Sequence, residues 1–162
     1  MALAVTPLPA QVLAHVFDRE PVARLAVIDD AGVPEVMPIV FARVGTWLFS
    51  PIDGKPKKSG RLARLRHIER CPRVGLVIDH YADDWRALWW LRISAQATIA
   101  VGHHEHWDAA VAALQGKYPQ YRTTPLFEGA PTLICFEPLS VRWWAAAGLA
   151  QFAQAWPADP VD

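Results

Sequence analysis

The residues best equipped for chemistry lie between Ser50 and Val74, in SPIDGKPKKSGRLARLRHIERCPRV. Lys55, Lys57, Lys58, Arg61, Arg64, Arg66, Arg70 and Arg73 supply half of the 16 basic side chains, against the acids Asp53 and Glu69. The stretch therefore carries +6 in a chain whose formal net charge is zero. A neutral protein that gathers its cations in one segment is usually holding an anion there. The lysines sit in a Gly/Pro loop, ahead of a helical repeat that begins at Ser59. Point charges beside the free N–H groups of a helix start suit a phosphate. A solvated basic helix face is the plain alternative; the position of the lysines before the helix favours the anion site.

Other groups offer weaker chemistry. Asp79-His80-Tyr81-Ala82-Asp83-Asp84-Trp85 follows an apolar run. Carboxylates, an imidazole and a phenol at a strand end could supply an acid or base, or form an exposed turn. Trp89-Trp90 followed by Arg92 reads as core packing, or as a stacking wall with a cation beside it. His103 and His106 could share a metal at i,i+3. No third ligand stands at a known spacing, so a polar first helical turn is the preferred reading and no metal is expected. GxSxG, GxGxxG and GxxxxGK[ST] are all absent, which leaves a serine hydrolase or a P-loop without support. Basic and aromatic residues together can also bind single-stranded nucleic acid. Zero net charge and one short basic segment argue against it, and neither nucleic acid nor membrane is expected as a partner.

The elements that must position these groups follow from periodicity. Pro9 to Glu20 reads as a helix, and Val22–Ile28, Glu35–Arg43 and Thr46–Phe49 as a three-strand meander with a turn at Asp29–Gly32. Ser59–Arg70 is a helix with Leu62, Leu65 and Ile68 on its buried stripe. Arg73–Asp79 is a strand, and Leu88–Val101 a long strand or bent pair. His103–Leu114 is a helix, Gln115–Ala130 a loop, and Thr132–Phe136 and Ser140–Trp144 two last strands. Six or seven mostly antiparallel strands with three helices fit a small, mainly β barrel with peripheral helices. The chain of 162 residues reads as one domain over 1–152 with a loose tail over 153–162. Cys71 and Cys135 are isolated thiols, which suggests a reducing, cytoplasmic setting. No signal peptide or long apolar span is read. The clustered tryptophans suggest an aromatic wall or a subunit interface.

Beyond this point a resemblance adds to the reading. Ala23–Asp29, Gly32-Val33-Pro34 and Met37–Phe41 resemble the opening hairpin of pyridoxamine 5′-phosphate oxidase-like proteins. Lys55-Pro56-Lys57-Lys58 with Arg61-Leu62, Cys71–Val74, Asp79-His80-Tyr81, Asp84-Trp85 and Leu88–Arg92 are similar to the deazaflavin (coenzyme F-420)-dependent branch. The resemblance covers about residues 10 to 147. It implies a split β-barrel of the FMN-binding type, a homodimer, and a cofactor groove at the subunit interface. It places Lys55, Lys57, Lys58 and Arg61 at the phosphate or acidic tail of the cofactor. Pro38, Ile39, Val40, Ser50 and Pro51 would follow its ring and ribityl chain, and His80, Trp85, Trp90 and Arg92 would line the same groove. The implied activity is hydride transfer from coenzyme F-420 to a small planar or conjugated substrate. His80 and Tyr81, by their place after the central strand, are the pair nominated as proton donor. FMN in place of the deazaflavin, or a non-catalytic cofactor carrier, are the competing expectations.

Overall fold

The structure is a computed structural model that describes residues 7–53 and 61–155, with 61–62 and 153–155 as backbone only. Seven strands form one antiparallel sheet: β1 (Ala23–Ile28), β2 (Pro34–Ile39), β3 (Ala42–Val44), β4 (Trp47–Pro51), β5 (Arg73–His80), β6 (Trp89–Val101) and β7 (Thr132–Ala145). Their order is β2-β1-β5-β6-β7-β4-β3. β1 and β2 close through a turn in which the Asp29 carboxylate accepts from the Ala31 and Val33 N–H groups, both at 2.8 Å, and Gly32 takes φ 81°. The meander expected from Val22 to Phe49 does not form. β2 and β3 follow one another in the chain, yet they are the two edges of the sheet. Three Cα steps from Ile39 to Ala42 reach roughly 11 Å, whereas seven flat strands would span roughly 29 Å. The sheet must therefore curl into a barrel that is split between its edge strands.

Period-two alternation fills the barrel. Leu25 and Val27 of β1, Leu76 and Ile78 of β5, Leu91 and Ile93 of β6, and Leu48 of β4 form the inner core with Ile134 and Phe136 of β7. Four helices of the described residues surround the sheet: α1 (Ala10–Arg19), α2 (Arg61–Arg70), α3 (Trp107–Lys117) and α4 (Ala150–Ala155). Val16 and Phe17 of α1, Ile68 of α2 and Phe152 of α4 complete the core.

β7 corrects the expectation of two separate last strands. It runs for 14 residues through Pro138, with an irregularity opposite Ser94 and Ala95. Ser94 faces Ser140 and Ala95 faces Pro138, so Leu139 is the extra residue of a β-bulge. Proline has no N–H to give the ladder, which suits it to a bulge. The bulge also reverses the strand's parity. Ile134 and Phe136 point into the core before it; Val141, Trp143 and Ala145 do so after it.

A second cluster lies outside the barrel wall. α3 packs Ala110 and Leu114, followed by Tyr118, on Ala42, Phe49, Ala100, Leu133 and Cys135. The helix starts at Trp107 and not at His103, because the His104 ring Nδ1 takes the His106 N–H (3.1 Å) and makes a turn there. α3 runs on to Lys117 and a 3-10 turn follows at Pro119–Arg122, so the expected loop from Gln115 is partly ordered.

Tyr118 then ties the crossover. Its hydroxyl is 2.8 Å from the Phe41 carbonyl and 2.9 Å from the Pro21 carbonyl, and it accepts from the Phe41 N–H at 3.0 Å. Lys117 donates to the Phe17 carbonyl (2.7 Å) with its ammonium 3.9 Å from the Phe41 ring centroid. Burial pulls Lys117 down to about 8, against the pull of Asp18 and Glu20, and pushes Tyr118 up to about 12.

Tyr118→Phe leaves the buried polar groups of Phe41 unpaired and is expected to cost about 1–3 kcal/mol, read as a lower urea midpoint at unchanged slope. The alkaline stability profile has a signed shape. The unfolded lysine titrates near 10.5, so above pH 8 the unfolded chain holds the extra proton and stability rises. Above pH 10 the unfolded tyrosine releases its proton first and stability falls. In Lys117→Met the rise is expected to vanish from urea midpoints taken across that range.

Candidate functional site on the open face of the sheet

α3 covers the outer side of β3, β4 and the adjoining halves of β6 and β7; no described helix covers the outer side of β2, β1, β5 and the other halves. Register places the side chains of that face in transverse rows. Pro38, Arg24, Val77, Arg92 and Arg142 form one row across five strands. Asp79, Trp90 and Trp144 form the row on one side of it. Val36, Ala26, Gly75, Ser94 and Ser140 form the row on the other. The second row is aromatic and the third is small, so the arginines stand between a wall and a shallow floor. At ordinary strand spacing the face is roughly 19 Å wide from β2 to β7.

The electrostatics of the face are uneven. Arg24 forms an ion pair with Asp79. The Arg92 guanidinium lies 5.8 Å from the Trp90 ring centroid. Arg92 and Arg142 are directly opposed, both are exposed, and among the described residues neither has a carboxylate partner. Like charges in opposed positions destabilise a strand pair. Trp144 is 44% exposed beside them.

The structure brings Pro38, Trp90 and Arg92 together on this face. Ile39 points into the barrel core, and Val40 packs under the second cluster. Ser50 and Pro51 are buried, paired with Ile134 and Leu133. His80 ends β5 opposite Trp89, with the two rings stacked at 6.4 Å, so it belongs to the end of the barrel and not to the row of Arg92. Burial raises the Glu20 carboxyl above its usual range, against the electrostatic pull of His80 and Lys117. Tyr81 and Trp85 are exposed, at 73% and 77%, in the segment that joins β5 to β6. In that segment Asp84 is occupied locally: it accepts from the Arg86 N–H and pairs with its guanidinium, which hold the carboxyl below its usual range.

Lys55, Lys57, Lys58 and the Arg61 side chain lie outside the described residues. Two other cations of the basic stretch have structural partners. Arg66 donates to Asp30 (2.8 Å), and Arg70 pairs with Asp30 at 3.3 Å and donates to the Ile28 and Asp29 carbonyls, fastening α2 to the β1–β2 turn. His104 packs against Trp47 and Phe49, each at 5.4 Å between ring centroids. Among the described residues no group of three or more His, Cys, Asp or Glu side chains is placed to hold a metal. Sequence reading did not place Arg24, Glu20 or Arg142 at a site, and had Trp144 only among the clustered tryptophans of an aromatic wall or subunit interface. The signal for Arg142 and Trp144 was a reversal of alternation around Pro138 in β7.

No family model matches the chain, and no curated protein matches it. Solved structures do. An FAD-binding protein from Mesorhizobium loti superposes with a TM-score of 0.60 at 19% identity over 87% of this chain and 97% of its own. A candidate pyridoxamine 5′-phosphate oxidase from Listeria innocua gives 0.57 at 16%, over 82% and 95%. The heme storage protein HutZ from Vibrio cholerae gives 0.65 at 18%, over 84% and 93%. With its curled sheet and these likenesses, the chain has the split-barrel fold of pyridoxamine 5′-phosphate oxidase-like proteins. At such identities the likeness is one of fold.

Replacing Arg142 with Thr removes the opposed like charge. It is expected to raise stability by roughly 0.2–1 kcal/mol in urea melts at low salt, with a smaller gain at high salt.

Proposed function

We propose that the chain is a homodimeric, cytoplasmic oxidoreductase that uses the deazaflavin coenzyme F-420 to reduce a small planar or conjugated organic substrate. The observation that carries this reading is the open outer face, where Pro38, Trp90 and Arg92 share a surface broad enough for more than one ring system. The residues fit such a cofactor in kind. An aromatic wall accepts a flat ring, and the lysines of Lys55–Lys58 with Arg61 supply charge for a phosphate and an acidic tail. Several cations exceed what the single phosphate of FMN needs, which favours the longer anionic cofactor. Val36 and Trp144 are exposed apolar groups of this face, at 65% and 44%, which supports a second copy over it. Cys71 and Cys135 are free thiols, in keeping with a reducing compartment, and no helix of the described residues is long and apolar enough to cross a membrane.

The bound cofactor supplies a hydride; the tasks left to the protein are placement and exclusion of competing reactions. Trp90 and Arg92 orient flat, electron-rich rings on the sheet. His80 and Tyr81, which end β5 and open the segment to β6, are the groups assigned to proton delivery. His80 sits against the Trp89 ring with Glu20 in its field, which holds an imidazole in a defined place.

Titration of the purified protein with the deazaflavin and, in parallel, FMN and heme tests this directly, with cofactor and tryptophan fluorescence or heme absorbance as readout. Saturable deazaflavin binding is expected, weaker FMN binding, and at least roughly tenfold loss of deazaflavin affinity when Lys55, Lys57 and Lys58 become Ala. Preference for FMN or heme would overturn the cofactor assignment. Tight binding without any substrate-dependent oxidation of the reduced cofactor would make the protein a carrier. Sedimentation equilibrium is expected to give twice the chain mass.

A further inference from the structure

We propose that Arg92 and Arg142, flanked by Trp90 and Trp144, bind the carboxylate of the substrate, and that the substrate is a planar conjugated acid. This deepens the reading of the face as a cofactor and substrate groove and rests on it.

Four observations lead there. Arg92 and Arg142 occupy opposed positions of β6 and β7, and Trp90 and Trp144 occupy the next opposed pair of the same face. The result is a square of four neighbouring strand positions, two arginine and two tryptophan, in which the Arg92 guanidinium lies 5.8 Å from the Trp90 ring centroid. Both arginines are exposed, and among the described residues no carboxylate neutralises either; Asp79, the acid of the neighbouring row, is held by Arg24. An opposed like-charge pair is unfavourable in the free protein and becomes favourable when one anion bridges it. Leu139 is the third observation. Without that extra residue, Arg142 and Trp144 would have the parity of Ile134 and Phe136 and would point into the core. The bulge therefore delivers this arginine and this tryptophan to the outer face together, and bulges commonly re-aim side chains beside sites. Fourth, the row on the far side of the arginines is Ser140, Ser94, Gly75 and Ala26, which leaves open floor next to the pair.

The chemistry of the square specifies its ligand. Planar guanidinium forks match a carboxylate in two-point fashion, and indole faces match a flat conjugated body attached to it. The cofactor's own anionic groups are assigned to Lys55, Lys57, Lys58 and Arg61, so the pair on the sheet is left for a second anion.

The test uses cinnamate, a planar conjugated acid, and its uncharged analogue cinnamamide, with the full chain and quenching of tryptophan fluorescence as readout. Cinnamate is expected to bind more tightly than cinnamamide, and Arg142→Met to weaken cinnamate roughly ten- to hundredfold while leaving cinnamamide unchanged. Arg142→Lys should restore part of the loss, and Arg92→Met should repeat it should the first variant fold poorly. Deazaflavin affinity should not change in Arg142→Met. Equal binding of acid and amide, or cinnamate binding that Arg142→Met does not alter, overturns the proposal. Loss of deazaflavin binding in that variant would give the pair to the cofactor, and dissociation of the dimer with cinnamate binding intact would give it to the partner's acids; either result also overturns it. Failure of the cofactor reading has a different signature: no deazaflavin binding by the unaltered chain, with discrimination of acid from amide preserved.

Discussion

Val40 and Phe41 join the two edges of a seven-stranded sheet, and that short connection constrains everything else. A flat sheet cannot satisfy it, so the strands curl and the apolar side of every strand turns inward. The crossover itself has buried backbone polarity outside any strand ladder, and the Tyr118 hydroxyl meets it by bonding both polar groups of Phe41. The same hydroxyl reaches Pro21, which fixes where the first helix hands over to β1. One side chain at the end of α3 thereby sets three chain segments relative to one another. Because α3 is anchored there, it lies over β3 and β4 and not over the outer side of β2, β1 and β5. The closure of the barrel and the openness of the candidate site are two results of one constraint.

Leu139 adds a second, local constraint. A one-residue insertion in a strand exchanges the two faces for every residue beyond it. In β7 this gives Val141, Trp143 and Ala145 to the core and Arg142 and Trp144 to the surface. A regular strand would have kept an arginine inside, so the bulge is what makes the end of β7 compatible with the barrel at all. It also puts a large aromatic and a second arginine outside, where packing alone does not ask for them. A protein gives up some stability at positions used for binding, and an unneutralised arginine pair beside exposed indoles has that character.

Much of this was legible in the sequence. The alternation in Ala23–Ile28, Arg73–Asp79 and Leu88–Val101 located β1, β5 and β6, and Trp90 and Arg92 were recognisable as a ring-and-cation pair. The strand partners were not legible. Nothing in Glu35–Arg43 announces that its middle is the passage from one sheet edge to the other, because that outcome depends on β5 to β7 inserting between β1 and β4. Glu137-Pro138 looked like a break, since proline cannot donate to a ladder; the strand passes through it because the bulge removes the need for that donor. Arg142 and Trp144 were lost for the same reason, as their face could be assigned only once the parity reversal was known. His103–His106 looked like the first turn of α3, and a side chain–backbone bond from the His106 N–H to His104 displaced the helix start.

Charge was the strongest clue in the sequence, and a sum along the chain does not show which cations are close in space. Summed along the chain, Ser50–Val74 holds the surplus and everything else is acidic. Two of the arginines in that surplus, Arg66 and Arg70, fasten α2 to Asp30 and are not available to a ligand in the same way as a loop lysine. The sheet assembles a different concentration of charge. Arg24, Arg92 and Arg142 come from three separate strands and lie in one transverse row, with Asp79 as the single acid in the adjoining aromatic row. A field at a site is set by what is close in space, and exposed charges farther apart than about 10 Å are largely screened. A sum over a segment therefore counts neighbours along the chain that point elsewhere, and omits neighbours across strands that share a face. In a curled sheet, register determines which cations act together, and register here follows from a two-residue crossover and one inserted leucine.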